Sequence, residues 1–420
     1  MTANKHKKGG TTMNIKPQKG MQEYLPEAAA QRDRLMSVIL DTYTKCGFTR
    51  IYTPAVESAE NLDKSDGGDN LNLVFKILKR GDKLEAALAQ SPVDEKELCD
   101  LGLRYDLTLP LSRFYANNRS ALPNPFKCIQ IDKVYRAERP QRGRLREFVQ
   151  CDIDILGSDS ICSEIELISV TAKAIERIGI GKFSVRVNDR RVLRGSLKTM
   201  GFPQDSLDTV CVSFDKLDKI GADGVAEELR GKGMPEQAVE SLRALIEKGS
   251  ITLDDMERYC SEDAKDAITS LRTIIETADK LSDDFSVVYD PSLVRGQGYY
   301  TGTVFEIASE KFGGTVAGGG RYDGLIGRFT GENIPAVGFS IGFERIFTIV
   351  QENNIRLEGS RKKTAILYKA EDILKAVEKS SALEEESDIT LVLVANPKKT
   401  DKIYSRVKNS GFDEIIKIDL

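Results

Sequence analysis

The alternation of apolar and polar residues changes period several times along the chain, and each change marks an element. Through residues 29–46, around RLMSVILDTYTKC, apolar positions recur at helical spacing, and Gly47 ends the run. FTRIYTPAV (48–56) then reads as a strand ending near Pro54. LVFKILKRGDKLEA (73–86) reads as a strand, a turn at Gly81 and a helix, and LGLRYDLTLPLSRFYAN (101–117) alternates before opening a helix. FKCIQIDKVYRAERP (126–140) and LREFVQCDIDILG (145–157) both alternate with period two and flank RPQRGR (139–144), which predicts an antiparallel hairpin with a long loop. SEIELISVTAKAIERIG (163–179) is an amphipathic helix, and FSVRVND (183–189) a strand.

Beyond about residue 190 the pattern turns helical, charged and short-looped, as in VAEELRGKGMPEQAVESLRALIEKG (225–249) and DAITSLRTIIETADKL (266–281). This predicts a helical insertion over 191–284, between sheet elements at 13–190 and 285–350. Strands return in FSVVYDPSLVRGQGYYTGTVFEIAS (285–309), and AVGFSIGFERIFTIV (336–350) is a strand turning into a helix. QENNIRLEGSRKK (351–363) is a polar linker. Residues 364–420 read strand–helix–strand–helix–strand, a small α/β domain. The expected fold is therefore α+β: a mostly antiparallel sheet with flanking helices, a helical insertion and a small C-terminal α/β domain. A doubly wound sheet is excluded, no Walker A sequence occurs, and GGGRYDG is not a dinucleotide fingerprint in a βαβ setting.

Composition narrows the chemistry. At 40% hydrophobic and 30% charged, the chain can bury a large core and stay in solution. A net charge of -4 neither suggests nor excludes nucleic acid, because a local patch matters more than a total. Seven cysteines without a Cys-x-x-Cys pair argue against a disulfide framework or zinc knuckle and fit a reducing cytoplasm. No apolar run is long enough to span a bilayer, so no membrane partner is expected. The N-terminus lacks an apolar signal core. Residues 1–12 read as a disordered leader, with a natural start at Met13. The single histidine, His6, lies in that leader, so triads and metal sites that need histidine are excluded from the folded body.

Three stretches carry candidate chemistry. Arg136, Glu138, Arg139, Arg142, Arg144 and Arg146 crowd the hairpin loop, which reads either as a phosphate site or as an exposed basic edge. Period two puts Arg136 with Glu138 on one face, Gln150, Asp152 and Asp154 on one face, and Asp106 with Thr108 on another. Arg345 stands at a strand-to-helix transition. A cation there opposes the helix dipole, so it is explained either by an anionic ligand or by a surface pair with Glu344. VRGQGYYTGTVFE (294–306) and AGGGRYDG (317–324) place arginines and tyrosines among glycines, either as a hairpin with an aromatic face or as the wall of a pocket for a flat, polar and anionic ligand.

In their order these stretches resemble the signature motifs of class II aminoacyl-tRNA synthetases. GFTRIYTPAVES is similar to motif 1, VYRAERPQRGRLREFVQCDIDILG to motif 2, and PAVGFSIGFERI to motif 3. LVRGQGYYTGTVFE and AGGGRYDGL resemble the two histidine-specific motifs of the histidyl-tRNA synthetase family, and the resemblance covers residues 13 to about 350. It implies that L-histidine is activated with ATP, with Mg²⁺ expected, and then transferred to tRNA(His). Arg295 matches the family's catalytic arginine, against the substrate carboxylate and α-phosphate. Arg136 matches the motif 2 arginine on the α-phosphate, and Glu138 and Arg144 the adenosine- and phosphate-side contacts. Arg345 matches the motif 3 arginine on the γ-phosphate side. Asp106, Thr108 and Gln150 match positions that hold the histidine α-amine, Asp154 the acid that reads an imidazole N–H, and Tyr299, Tyr300 and Tyr322 the lining of the imidazole pocket. The metal ligands are not specified. A homodimer is implied, with residues 29–56 at its two-fold interface.

The chemistry is coherent without the name. Acids suit an ammonium, an arginine suits a carboxylate, and phenols with an acid suit an imidazole. No nucleophilic side chain is required, because the substrate carboxylate itself attacks the α-phosphorus. Two features depart from the family pattern. Gln297-Gly298 stands where Leu-Asp is frequent, and the C-terminal domain is short for an anticodon-binding domain. Lys398, Lys402 and Arg406 follow one another at helical spacing there, as either an RNA-facing line or a solvated face. The alternatives from other classes are a non-catalytic, histidine-sensing regulatory subunit of ATP phosphoribosyltransferase and a generic nucleic-acid-binding module.

Overall fold

The computed structural model describes residues 14–63, 72–90, 92–294 and 299–420. The chain divides into two compact units, Met1–Ile355 and Arg356–Leu420. The first begins with α1 (Pro26–Lys45), which Gly47 ends at φ +86°, a conformation that costs glycine nothing. There follow β1 (Thr49–Arg50), β2 (Val56–Ser58), α2 (Ala59–Asp63), β3 (Lys76–Leu78), α3 (Asp82–Leu88), α4 (Glu95–Leu98), β4 (Cys99–Leu103) and α5 (Thr108–Asn118). The long hairpin is β5 (Phe126–Tyr135) and β6 (Glu147–Leu156), then α6 (Cys162–Ile178) and β7 (Phe183–Asp189). The insertion contains α7 (Arg190–Thr199), α8 (Leu207–Phe214), α9 (Leu217–Gly231), α10 (Glu236–Glu247), α11 (Leu253–Tyr259) and α12 (Lys265–Ala278). The unit closes with β8 (Phe285–Tyr289), β9 (Thr303–Ser309), β10 (Gly314–Arg321), α13 (Asp323–Thr330), β11 (Ala336–Gly342) and α14 (Phe343–Glu352).

An eight-stranded sheet in the order β1-β5-β6-β11-β10-β9-β7-β8 organises this unit. The pairs from β5 to β7 are antiparallel, and the two outermost, β1–β5 and β7–β8, are parallel. A parallel neighbour needs a crossover, and the helical insertion supplies the one between β7 and β8. Cys151, Ile153 and Ile155 of β6 pair in register with Ile131, Ile129 and Lys127 of β5, and the first two also with Ile341 and Phe339 of β11. This face is covered by α1 and α6, which pack on each other and bury Leu35, Ile39, Tyr43, Leu167 and Ile168. The core reaches across β10 because Phe305 and Phe339 meet over Gly319, with ring centroids 4.5 Å apart. On the other face α5 and α13 pack together around Leu111, Tyr115, Leu156 and Leu325. They cover one end and leave the middle of the sheet open.

Two local readings are corrected. The strand expected over 48–56 is only Thr49–Arg50 in the large sheet, and the chain then enters a separate three-stranded sheet through β2. Pro54 has no N–H to donate, and the Thr53 carbonyl is taken at 2.7 Å by buried Arg104 instead of a strand. Asp106 and Thr108 do not share a strand face, because Thr108 already opens α5 and Asp106 Oδ1 accepts from Leu109 N at 3.2 Å, capping the helix.

Arg321, one of the arginines among the glycines, is structural. Its Nε and Nη2 each donate to a Glu164 carboxylate oxygen at 2.7 Å, with both residues buried. Glu164→Gln should remove about 2–3 kcal/mol of stability by leaving part of this guanidinium unpaired. The urea midpoint measures it, and an unchanged midpoint would contradict the role.

The second unit contains β12 (Lys362–Tyr368), α15 (Ile373–Leu383), β13 (Ser387–Leu393), α16 (Thr400–Lys408) and β14 (Glu414–Lys417). Its sheet is parallel in the order β13-β12-β14, with Ala365, Leu367, Val394 and Val407 in the core. The line of three cations is shorter than expected: Lys402 and Arg406 are exposed on α16, but Lys398 lies in the 3-10 turn Pro397–Lys399 before it.

Candidate active site

The floor of the site is β6. Gln150, Asp152 and Asp154 alternate onto the open face of the sheet, and their register partners on β11 are Gly342, Ser340 and Gly338. On β10, Gly318 and Gly320 continue the rows of Ser340 and Gly338. Small residues beside long polar ones leave a depression over the glycines. Gly338 enforces it, since a Cβ there would stand 1.9 Å from Asp154 Oδ1. Gly338→Ala should therefore displace the carboxylate and lower kcat/KM for the amino-acid substrate roughly 30- to 100-fold, the scale of an ångström-sized misplacement. Steady-state kinetics on a variant with unchanged circular dichroism checks this, and wild-type kinetics would sink it.

The depression has two parts that share Gln150, Gly318 and Ser340. The larger is a cleft of about 350 Å³ reached by Arg136, Glu138, Arg144, Phe148 and Arg345. Arg136 follows the end of β5, so it is not on a strand face with Glu138, yet both line the cleft. Its Nε donates to the Tyr105 carbonyl at 2.9 Å, and its guanidinium carbon lies 5.2 Å from the Phe148 ring centroid. Arg345 donates from Nη1 to the Thr315 carbonyl at 2.6 Å. Arg144 stands 3.4 Å from Glu138. The remaining hairpin arginines divide differently. Arg142 holds Glu352 at 2.5 Å and the Phe312 carbonyl at 3.0 Å, and Arg146 holds the Glu138 carbonyl at 3.0 Å. These contacts tie down the loop that presents Arg136 and Arg144.

The partner that holds Glu344 comes from α1. Buried Glu344 is gripped by Arg32 of α1 through two hydrogen bonds of 2.5 and 2.7 Å, and Tyr24 donates to it at 3.2 Å. Its Oε1 also accepts from Val149 N at 3.3 Å, which fixes α14 to the strand bearing Gln150. Arg345 reaches the Thr315 carbonyl and lines the cleft.

The smaller pocket, about 40 Å³, is walled by Thr108, Asp152, Asp154, Tyr299, Tyr300 and Tyr322. The Tyr299 ring lies 4.9 Å from that of Tyr300 and 6.1 Å from that of Tyr322. Tyr322 donates to Asp154 Oδ1 at 2.6 Å. Burial pushes the Asp154 carboxyl up to about 7, opposed by that hydrogen bond. Burial also pushes Asp152 well up, with the Asp154 charge adding to it. Asp106 is raised by burial too, against the Leu109 N–H and Arg136. Asp106 Oδ2, Gln150 Oε1, Asp152 Oδ1 and Asp154 Oδ2 are all buried without a protein partner. Buried acceptors of this kind need donors. The pocket is made for a ligand rich in N–H groups and positive charge, and the adjoining cleft for an anion.

Of the residues singled out in the sequence, Arg136, Glu138, Arg144, Gln150 and Arg345 line the cleft, and Thr108, Gln150, Asp154, Tyr299, Tyr300 and Tyr322 line the pocket, whereas Asp106 is in neither lining. Arg295 and the Gln297-Gly298 departure lie outside the described residues. Sequence reasoning gave no task to Asp152, Phe148 or Ser340. The first was already visible through period two, but no sequence pattern pairs Ser340 with it across strands. All seven cysteines are free thiols, and no helix among the described residues is long and apolar enough to cross a membrane.

A mostly antiparallel sheet with arginines on the loop of its long hairpin and on the helix that follows β11 is the architecture of a class II aminoacyl-tRNA synthetase catalytic unit. The same architecture is found in histidyl-tRNA synthetase from Nostoc sp. PCC 7120, at a TM-score of 0.77 and 25% identity over 97% of this chain and 93% of that one. An ATP phosphoribosyltransferase regulatory subunit/histidyl-tRNA synthetase from Bacillus halodurans C shares the fold at a TM-score of 0.76 and 21% identity, over 97% and 98% of the two chains. Residues 20–346 match the family model described as Histidyl-tRNA synthetase. A histidine–tRNA ligase of Leifsonia xyli subsp. xyli is 44% identical over 348 residues, 80% of each chain. The chain belongs to the histidyl-tRNA synthetase family.

Proposed function

We infer that this protein is a histidine–tRNA ligase, which activates L-histidine with ATP to histidyl-adenylate and pyrophosphate and then transfers histidine to the 3′ end of tRNA(His). Family membership supports the activity. The observation that carries the residue assignments is the junction at Gln150: four unpartnered buried acceptors on one side, and Arg136, Arg144 and Arg345 on the other.

In this reading histidine lies along β6. Its imidazole is held between the tyrosines with an N–H on Asp154, and its ammonium is near Thr108, Gln150 and Asp106. ATP occupies the cleft, with the α-phosphate on Arg136, Arg144 and Glu138 at the phosphate and adenosine sides, and Arg345 towards the γ-phosphate. A histidine carboxylate oxygen attacks the α-phosphorus. That O–P bond forms as the bond to the bridging oxygen breaks, and pyrophosphate leaves. The arginines spread the developing charge without reorganising. Arg295 is assigned to the same charge from the motif it matches. Mg²⁺ is expected to arrive with ATP. Among the described residues no group of three or more His, Cys, Asp or Glu is arranged to hold a metal.

Three finer assignments rest on the same reading. The protein acts in the cytoplasm. Arg356–Leu420 serves tRNA, with Lys402 and Arg406 presented on α16. The working unit is a homodimer through residues 29–56, the stretch that matches motif 1, and an interface of this kind would bury about 2,000 Å² or more. Multi-angle light scattering should give twice 46.6 kDa, and an active species at the single-chain mass contradicts the dimer. For the overall function, purified enzyme should attach labelled histidine to tRNA(His) carrying a free 3′ hydroxyl. Activation of histidine without any transfer would contradict the ligase reading.

A further inference from the structure

Asp152 matches no motif residue with an assigned role, yet it is among the most constrained side chains in the pocket. It is 5% exposed and lies on β6 between Gln150 and Asp154, opposite Ser340 of β11. Gln150 Nε2 donates to Ser340 Oγ at 3.4 Å, and Ser340 is the register partner of Asp152 across β6 and β11. A serine hydroxyl has one proton to give. Having accepted from the amide, Ser340 keeps that proton for an acceptor beside it, and Asp152 stands opposite it in the register. The consequence is orientation: Gln150 Oε1 and Asp152 Oδ1 are left as bare, buried acceptors in the same small pocket. Asp106, with its own unpartnered Oδ2, is close enough to interact with Asp152 electrostatically.

This cluster is more than an imidazole can use. A ring nitrogen offers one N–H in the ring plane, and Asp154, fixed by Tyr322, accepts it. A primary ammonium offers three donors and a full charge. We propose that Asp152, oriented by Ser340, binds the α-ammonium of the amino-acid substrate and makes the pocket select for ligands that carry an amine. The proposal rests on the pocket being the histidine site.

Two ligands separate the ammonium from the rest of the substrate. Histidinol keeps imidazole and ammonium, and 3-(imidazol-4-yl)propionate keeps the ring and lacks the amine. Binding of each to the full chain is measured by calorimetry, without turnover. Asp152→Asn should weaken histidinol roughly 10- to 100-fold, the range of a lost charge-assisted hydrogen bond. It should leave 3-(imidazol-4-yl)propionate unchanged, since that ligand has no ammonium to lose a partner. Ser340→Ala should show the same selectivity at roughly 3- to 10-fold, and it decides the matter alone if Asp152→Asn does not fold. Equal weakening of both ligands would mean general damage to the pocket and overturn the proposal. Wild-type affinity for histidinol in both variants would overturn it while leaving the histidine site standing. If the unaltered protein binds neither ligand, the pocket is not the histidine site, and the proposal falls with that reading.

Discussion

Arg136→Ala lowers the rate of adenylate formation roughly 10²- to 10³-fold, the cost of removing one preorganised donor from a developing anion. The argument is structural before it is chemical. The Tyr105 carbonyl takes Nε at 2.9 Å, and Phe148 lies under the guanidinium at 5.2 Å. The rest of the fork is therefore aimed before ATP arrives, and no side-chain entropy remains to be lost in the transition state. A preorganised group acts most on the species with the most charge at that point, which is the pentacoordinate phosphorus. The loss should appear in kcat, with the KM for ATP changed far less. Arg136→Lys should recover little, because an ammonium cannot reproduce a fork held at one nitrogen. Rapid-quench measurement of adenylate in a single turnover checks this. A variant that only raises KM would remove Arg136 from the reacting centre.

Asp154→Asn lowers kcat/KM for histidine by about 10³–10⁴, more than any other single change in the pocket. A site built around a buried hydrogen bond discriminates on this scale when the bond cannot form. Asparagine can still accept from Tyr322 at Oδ1, so the fold of the pocket survives. At the Oδ2 position it puts N–H donors where the carboxylate has an unpartnered acceptor. Two donors then face each other. Tyr322→Phe is the milder control: the acid loses its 2.6 Å partner but keeps the oxygen that reads the ring.

Proton linkage gives a second readout for the same residue. Folding raises the Asp154 carboxyl from the ordinary 3.8 to about 7 through burial. Between those values the folded protein holds a proton that the unfolded chain has lost. This contribution to stability is complete below the unfolded value and is lost as the pH rises through about 7. Asp154→Asn should therefore show a shallower fall in stability between pH 4 and about pH 7 than the parent. Parallel stability–pH curves would contradict the buried assignment.

Much of this site was legible in the sequence because its floor is a hairpin. Period two placed Gln150, Asp152 and Asp154 together, and β6 has that geometry over its whole length. The motif order then brought in Tyr299, Tyr300, Tyr322 and the arginines. Local rules failed where distant parts of the chain decide. Asp106 and Thr108 looked like strand neighbours, but a helix begins between them, and one oxygen of the acid accepts from the Leu109 N–H in its first turn while the other stays unpartnered. For Arg345 the sequence left an anionic ligand and a pair with Glu344 both open, and what holds Glu344 is an arginine 312 residues away, through two hydrogen bonds. Arg321 sits in a histidine-motif stretch, yet its partner Glu164 lies 157 residues earlier and on another element. Pairing across such separations depends on sheet order, which alternation along one strand does not encode.

The measurement closest to the central claim is ATP–pyrophosphate exchange with the purified full chain, run with each amino acid in turn. Exchange requires that adenylate form and reverse on the enzyme, so it reports both the arginine cleft and the pocket beside it. The account predicts exchange that depends on L-histidine, is lost in Arg136→Ala, and is weak with every amino acid lacking an imidazole. Histidine binding without exchange, as in a regulatory subunit that only senses the amino acid, or exchange indifferent to the amino acid supplied, would contradict it.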